Sequence, residues 1–231
     1  IAATSAARMG QKVLVVEPTV RIGGLTSGGL GYTDIGNKQV VRGLALDFYR
    51  RVGAHYGCLE QWVFEPGVAK EILEGYLSHP CITVLKDAHI CSVSKEGTVL
   101  KSIKVAGGKD YRDTLSFSAD VFVDCSYEGD LMALAGVSYR VGREANSEYG
   151  ETFNGVQLLD RHQFPDGVDP YVVPGQPESG LLYGISDASL MPDGSGDSLV
   201  QAYNYRICLT DSLENMMPIT RPENYDPSRY E

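Results

Sequence analysis

An acid at the end of an apolar run, followed within a few residues by a glycine-rich stretch, is the part of this sequence best suited to specific chemistry. The run is VLVV, the acid is Glu17, and the stretch is RIGGLTSGGLG from Arg21 to Gly31. A carboxylate at the carboxyl end of a parallel strand can accept hydrogen bonds from the hydroxyls of a ribose. Arg21, Gly23, Gly24, Thr26, Ser27 and Gly28 then offer main-chain N–H groups and two hydroxyls with little bulk, so a polar ligand can come close to the backbone. The chemistry of this set is to bind a dinucleotide.

Side chains able to meet a substrate lie further along: Arg143 beside Glu144, His162, and Arg206 in QAYNYRICLT with Tyr203 and Asn204. Arg206 stands among apolar residues on an expected strand, where a charge is aimed at a partner rather than left idle in solvent. An adjacent Arg–Glu pair is ordinarily a surface ion pair of small value, and no catalytic base is assigned. The cysteines Cys58, Cys81, Cys91, Cys125 and Cys208 lack C-x-x-C spacing, so neither a metal site nor a disulfide framework is indicated. They read as buried thiols of a reducing compartment, which favours a cytoplasmic location.

The elements that must position these groups follow from periodicity. Ala2 and Ala6, and Ala3 and Ala7, form i, i+4 pairs on one face of a thin helix that Gly10 can end. VLVV, Val13–Val16, reads as a parallel strand buried on both faces, and the glycine-rich stretch as a loop. Leu44, Phe48 and Val52 fall at helical spacing, as do Val68, Ile72, Leu73, Tyr76 and Leu77, and His79-Pro80 closes the second helix. The short runs CITVLK, HICSVSK, VLKSIKVA and DTLSFSA predict an antiparallel meander. ADVFVDCS, Ala119–Ser126, predicts another buried strand, and YEGDLMALAG a turn running into a helix. Beyond Val137 the chain is richer in tyrosine, proline and glycine, which places a domain boundary at Gly136.

Composition limits the partners. A chain of 231 residues with 43% hydrophobic content can bury a core. Its 20 basic and 30 acidic residues give a formal charge of -10, which opposes binding to nucleic acid or an anionic membrane and leaves a small molecule as the expected partner. No apolar run approaches the roughly 20 residues that span a bilayer. The first residue is Ile1 rather than Met, so the native start and any targeting segment are expected to lie upstream.

The run AATSAARMGQKVLVVEPTVRIGGLTSGG resembles FAD-dependent oxidoreductases of the glutathione-reductase structural class, in which GxGxxG stands just before such a helix. DCSYEGDLMALAGVSYRVGRE, YGETFNGVQ and GDSLVQAYNYRICLTDSLENMMPITRPENYDP are similar to a bacterial family of such enzymes, some of whose members carry a xanthan-lyase label. The resemblance implies an α/β fold: a Rossmann-like FAD-binding core over residues 1–136, interrupted by the meander, and part of a substrate lobe over 137–231. It also implies that Asp124-Cys125-Ser126 is the turn near FAD, with Gly129 and Asp130 just behind it, and that the backbone of Ile90 faces the adenine. The glycine turn and first strand are expected upstream, so this chain by itself is expected to hold FAD weakly and to leave the flank of VLVV open to another chain. The implied activity is hydride transfer between FAD and a small organic substrate. Two rivals stand beside it: a polysaccharide lyase using Arg161, His162 and Tyr171, and a non-catalytic binding fragment.

Overall fold

The computed structural model describes residues 1–107, 114–159, 165–201 and 206–230. It divides into one unit of Ile1–Ser138 with Asn204–Thr210 and a second of Tyr139–Tyr203 with Asp211–Glu231. The fold is mixed α/β, with one parallel and one antiparallel sheet.

In the first unit, helix α1 (Ala2–Arg8) leads through Gly10 into strand β1 (Val13–Val16). A short helix α2 (Gly24–Gly28), then α3 (Gly43–His55) and α4 (Pro66–Leu77), connect β1 to β2 (Ile82–Leu85), which lies parallel to it with Val13 opposite Ile82 and Val16 opposite Leu85. Apolar residues at helical spacing bring α3 and α4 together, so Phe48, Val52, Phe64 and Ala69 form a buried cluster. Phe48 meets Phe64 edge to face at 5.6 Å, and Tyr49 stacks on Trp62 at 3.8 Å. Each such aromatic pair contributes about 0.5–1.5 kcal/mol beyond its burial. Across the same helices the Tyr76 hydroxyl donates to Asp47 Oδ2, and Arg51 Nε donates to that oxygen at 2.8 Å.

Strands β3 (Ala88–Glu96), β4 (Val99–Gly107) and β5 (Thr114–Ser118) form the antiparallel meander. Glu96 pairs with Val99 across a two-residue turn, and Gly97, first of the two, has the φ of 61° that such a hairpin turn demands. The ladder skips Cys91 between the pairs Ile90–Val105 and Ser92–Lys104. After β5 the chain reaches α5 (Asp130–Leu134), and Lys95 Nζ donates to Ala135 O at its end. In the second unit, helix α6 (Asn146–Tyr149) is followed by irregular chain. Arg143 and Asp197 there exchange two main-chain hydrogen bonds, at 2.9 and 3.0 Å. No helix among the described residues is long and apolar enough to cross a membrane.

Several expectations are corrected. CITVLK belongs to the parallel pair, not the meander, because its strand reaches β1 before the chain turns into β3. VLVV is half-buried along its whole length, since β2 is its one strand neighbour among the described residues. Ala119–Ser126 joins no ladder among the described residues, and Val121 and Val123 are 75% and 63% exposed; alternation alone cannot make a strand without a neighbouring strand to pair with. The middle of the glycine-rich stretch is helical rather than looped. Four of the five cysteines are exposed and Cys81 is half-buried, so they are not core thiols.

Candidate functional site

At the end of β1 the main chain of Glu17 is fixed from both sides. Its N–H donates to Leu85 O at 2.9 Å, and its carbonyl accepts from Ala88 N–H at 3.0 Å. The carboxylate is held as well, because the Thr19 N–H and hydroxyl both donate to Oε1, at 2.8 and 2.7 Å. Oε2 has no partner among the described residues. The corner between β2 and β3 closes over this turn through Asp87, whose N–H donates to Thr19 O at 3.0 Å. Asp87 is the one non-glycine among the described residues with a left-handed backbone, φ 53°, a conformation costing about 1 kcal/mol. Ile90 follows two residues beyond Ala88, paired with Val105 in the meander.

The glycines of the next stretch divide by what their missing side chains make room for. A Cβ at Gly23 would overlap Leu73, one at Gly24 would overlap the Tyr127 hydroxyl, and one at Gly31 would overlap Phe64 O. Gly29 has φ 141° and packs against Arg206. Gly28 alone in the stretch has no positive φ and nothing within 4 Å of its Cβ position. The two hydroxyls also differ. Ser27 is fully buried and donates to Ile22 O, so it braces the turn and is closed to a ligand, contrary to the expectation for it. Thr26 is half-buried, with no hydrogen-bond partner among the described residues. Arg21 spans the turn, its Nη1 donating to Ser27 O at 2.9 Å.

The third segment arrives from the far end of the unit. Asp124 Oδ1 accepts from the Ser126 N–H and hydroxyl, and Oδ2 from Met132 N–H, so this carboxylate satisfies the first turn of α5. Burial pushes the Asp124 carboxyl up. The hydrogen bonds from Ser126, Met132 and Leu131 outweigh that effect and leave it below its ordinary value. The Ser126 hydroxyl accepts from Asp130 N–H at 2.9 Å, so Ser126 too is engaged internally. Gly129 has φ 72° at the helix entrance, and Asp130 is the acid of its first turn. Tyr127 crosses to α2, its hydroxyl accepting from Leu25 N–H at 2.6 Å.

Glu17, Ile90, the glycine stretch and the Ser126–Asp130 turn thus all belong to the first unit. The stretch and the turn meet directly, and Glu17 meets the entrance of β3. Thr19 and Tyr127 are the residues that sequence reasoning missed. A hydroxyl two positions after Glu17 was a usable signal for Thr19; nothing in the sequence marks a contact across 102 residues between Tyr127 and Leu25. Beyond Gly28, an open groove of about 790 Å³ is lined by Gly29, Tyr32, Tyr56, Phe64, Glu65 and Arg206 among others. Tyr56 donates to Glu65 Oε2 at 3.1 Å, and burial pushes its phenol up.

Arg206 lies on irregular chain rather than on a strand, and is exposed at the groove. Arg143 is occupied elsewhere: its guanidinium forms a two-point pair with Asp197 within the second unit, Nε to Oδ1 at 3.0 Å and Nη2 to Oδ2. His162, Arg161, Tyr203 and Asn204 lie outside the described residues. Tyr171 forms an isolated bridge with Leu181.

A family model described as FAD dependent oxidoreductase matches residues 1–231. The chain belongs to the FAD dependent oxidoreductase family. Its cofactor is FAD and its general activity is oxidoreduction. Comparison with curated proteins and with solved structures returned no match. Two features fit the chemistry of that cofactor: Glu17 Oε2, without a partner among the described residues, is an acceptor open to hydroxyl groups, and Gly28 leaves the main chain uncovered.

Proposed function

We propose that the chain uses FAD to oxidise or reduce a small organic substrate by hydride transfer. Residues 1–136 are the Rossmann-like FAD-binding core and 137–231 the substrate-side lobe. The observation that carries the reading is Gly28, whose lack of a side chain no packing among the described residues requires. Gly67 and Gly75 in α4 are bare in the same way; Gly28 differs in belonging to the glycine-rich stretch that follows Glu17, where a ligand can come close to the main chain. When bound, the flavin supplies a hydride acceptor or donor at N5.

The chain's own residues bind and orient. Glu17 Oε2 would accept from the adenosine ribose, and the main chain at Ile90 and around Thr26 and Gly28 would hold the rest of the dinucleotide. Gly129 and Asp130, at the entrance of α5, would contact it as well. Ser27, Arg21 and Ser126 act one step back, holding those main-chain segments in place. The groove that opens after Gly28 suits the substrate, with Arg206 as the charge available to an anionic group on it.

The test is the absorption spectrum of the intact purified protein. Flavin bands that bleach when a reductant is added are expected. A colourless protein that eliminates across uronate units would replace the oxidoreductase reading with the lyase.

A further inference from the structure

We propose that Thr19 is a positioning residue for the ribose of FAD, fixing one oxygen of Glu17 so that the other is presented as the acceptor. The inference rests on the assignment of Glu17 to that ribose. It goes further in naming what makes Glu17 competent.

A glutamate side chain has three rotatable bonds, and a free one must be ordered when ligand arrives, at a cost to affinity. In this structure the ordering is already done. The Glu17 main chain is tied to Leu85 on one side and Ala88 on the other. Both donors of Thr19 converge on Oε1, at 2.8 and 2.7 Å, and the hydroxyl oxygen in turn accepts from Arg21 N–H at 3.1 Å. That hydroxyl carries one proton, and Arg21 O stands 2.9 Å away as its alternative acceptor. The bond to the ionised carboxylate is the shorter and the stronger of the two. Thr19 is itself anchored, its carbonyl accepting from Asp87 N–H at 3.0 Å. The side chain that orients Glu17 is therefore locked to the same corner of chain that leads into β3 and Ile90. With Oε1 saturated, adjacent ribose hydroxyls can be met by Oε2 alone, in a fixed direction.

The test compares Thr19→Val, which removes the hydroxyl and keeps the shape, with Thr19→Ser, which restores it. FAD dissociation constants are measured on the intact protein by flavin fluorescence, in the parental and Glu17→Gln backgrounds, with FMN as a ligand lacking the adenosine. Thr19→Val is expected to weaken FAD about three- to tenfold, the worth of one hydrogen bond. Thr19→Ser should recover the parental value, FMN affinity should not change, and Thr19→Val should have no further effect once Glu17 is Gln. Apoprotein melting temperatures, unchanged because Thr19 is exposed, separate this effect from loss of fold. A Thr19→Val protein that binds FAD as tightly as the parent, while Glu17→Ala does not, overturns the positioning role and leaves the ribose assignment standing. An equal loss in both backgrounds, or an equal loss for FMN, also overturns it. Undiminished FAD affinity in Glu17→Ala would instead remove the ribose assignment itself.

Discussion

Gly28 offers the sharpest separation of fold from cofactor binding. Replacing it with alanine or valine adds a side chain to the last residue of a helix, where no described residue beyond its chain neighbours and its own helix backbone comes within 4 Å and φ is not positive. Folding should not suffer. Alanine in a helix is worth up to about 1 kcal/mol over glycine, so the apoprotein is expected to melt at the same temperature or slightly higher. Bound FAD would meet the new side chain. Inserting methyl groups into a close contact costs about 1–3 kcal/mol, which at 1.4 kcal/mol per tenfold is roughly five- to a hundredfold in affinity, the larger loss belonging to valine. Gly24 is the contrasting control, with φ 54° and the Tyr127 hydroxyl where a Cβ would go. Alanine there should lower stability whether or not FAD is present. The assays are thermal melting of the apoprotein and flavin content after dialysis of the loaded protein. A Gly28→Val protein that keeps its full flavin would refute the argument, because the bare face would then have no ligand to explain it.

Two further outcomes concern the helix pair. The Tyr76 phenol is pushed up to about 12 by burial and by its hydrogen bond to Asp47. The folded chain therefore holds that proton more tightly than the unfolded one, and the associated stability is complete below pH 10 and is lost as pH rises towards 12. The loss is at most roughly 2.7 kcal/mol, reduced by solvent at a half-buried ring; urea unfolding at pH 9 and pH 11.5 should show a smaller difference for Tyr76→Phe than for the parent. Gly53→Ala should destabilise by about 1–3 kcal/mol, although it lies inside α3, because its Cβ would stand 2.7 Å from Cys58 O and Glu60 N. A rise in melting temperature, the ordinary result for glycine to alanine in a helix, would count against that packing.

What could be read from the sequence was whatever is written in local periodicity. The spacing of Leu44, Phe48 and Val52 found α3, and the runs around KEGT found the β3–β4 hairpin. Pairing partners are not local. CITVLK reads equally well as a meander strand or a parallel one, and its contact with VLVV, about 70 positions earlier, decided the matter. ADVFVDCS has the alternation of a strand without the ladder. At the site, Glu17 and the glycines could be picked out by residue type. Ser27 could not be told apart from Thr26, since burial of one hydroxyl against Ile22 O depends on how the turn closes. Tyr127 went unmarked, and Asp124 was placed in its turn without its bond to the first turn of α5, because those contacts form only through folding.

The meeting of Gly24 with Tyr127 has a consequence for how the family can vary. The phenol fills the volume that any side chain at position 24 would need, and it also terminates the Leu25 N–H. Neither position is then free to drift alone. A lineage that acquires even a methyl group at 24 must first lose the tyrosine ring or move the segment that carries it. A lineage that loses the tyrosine leaves an amide seeking another acceptor, such as water or the cofactor itself. Across the family the two positions should therefore change as a pair, glycine travelling with tyrosine, although about a hundred residues of chain lie between them.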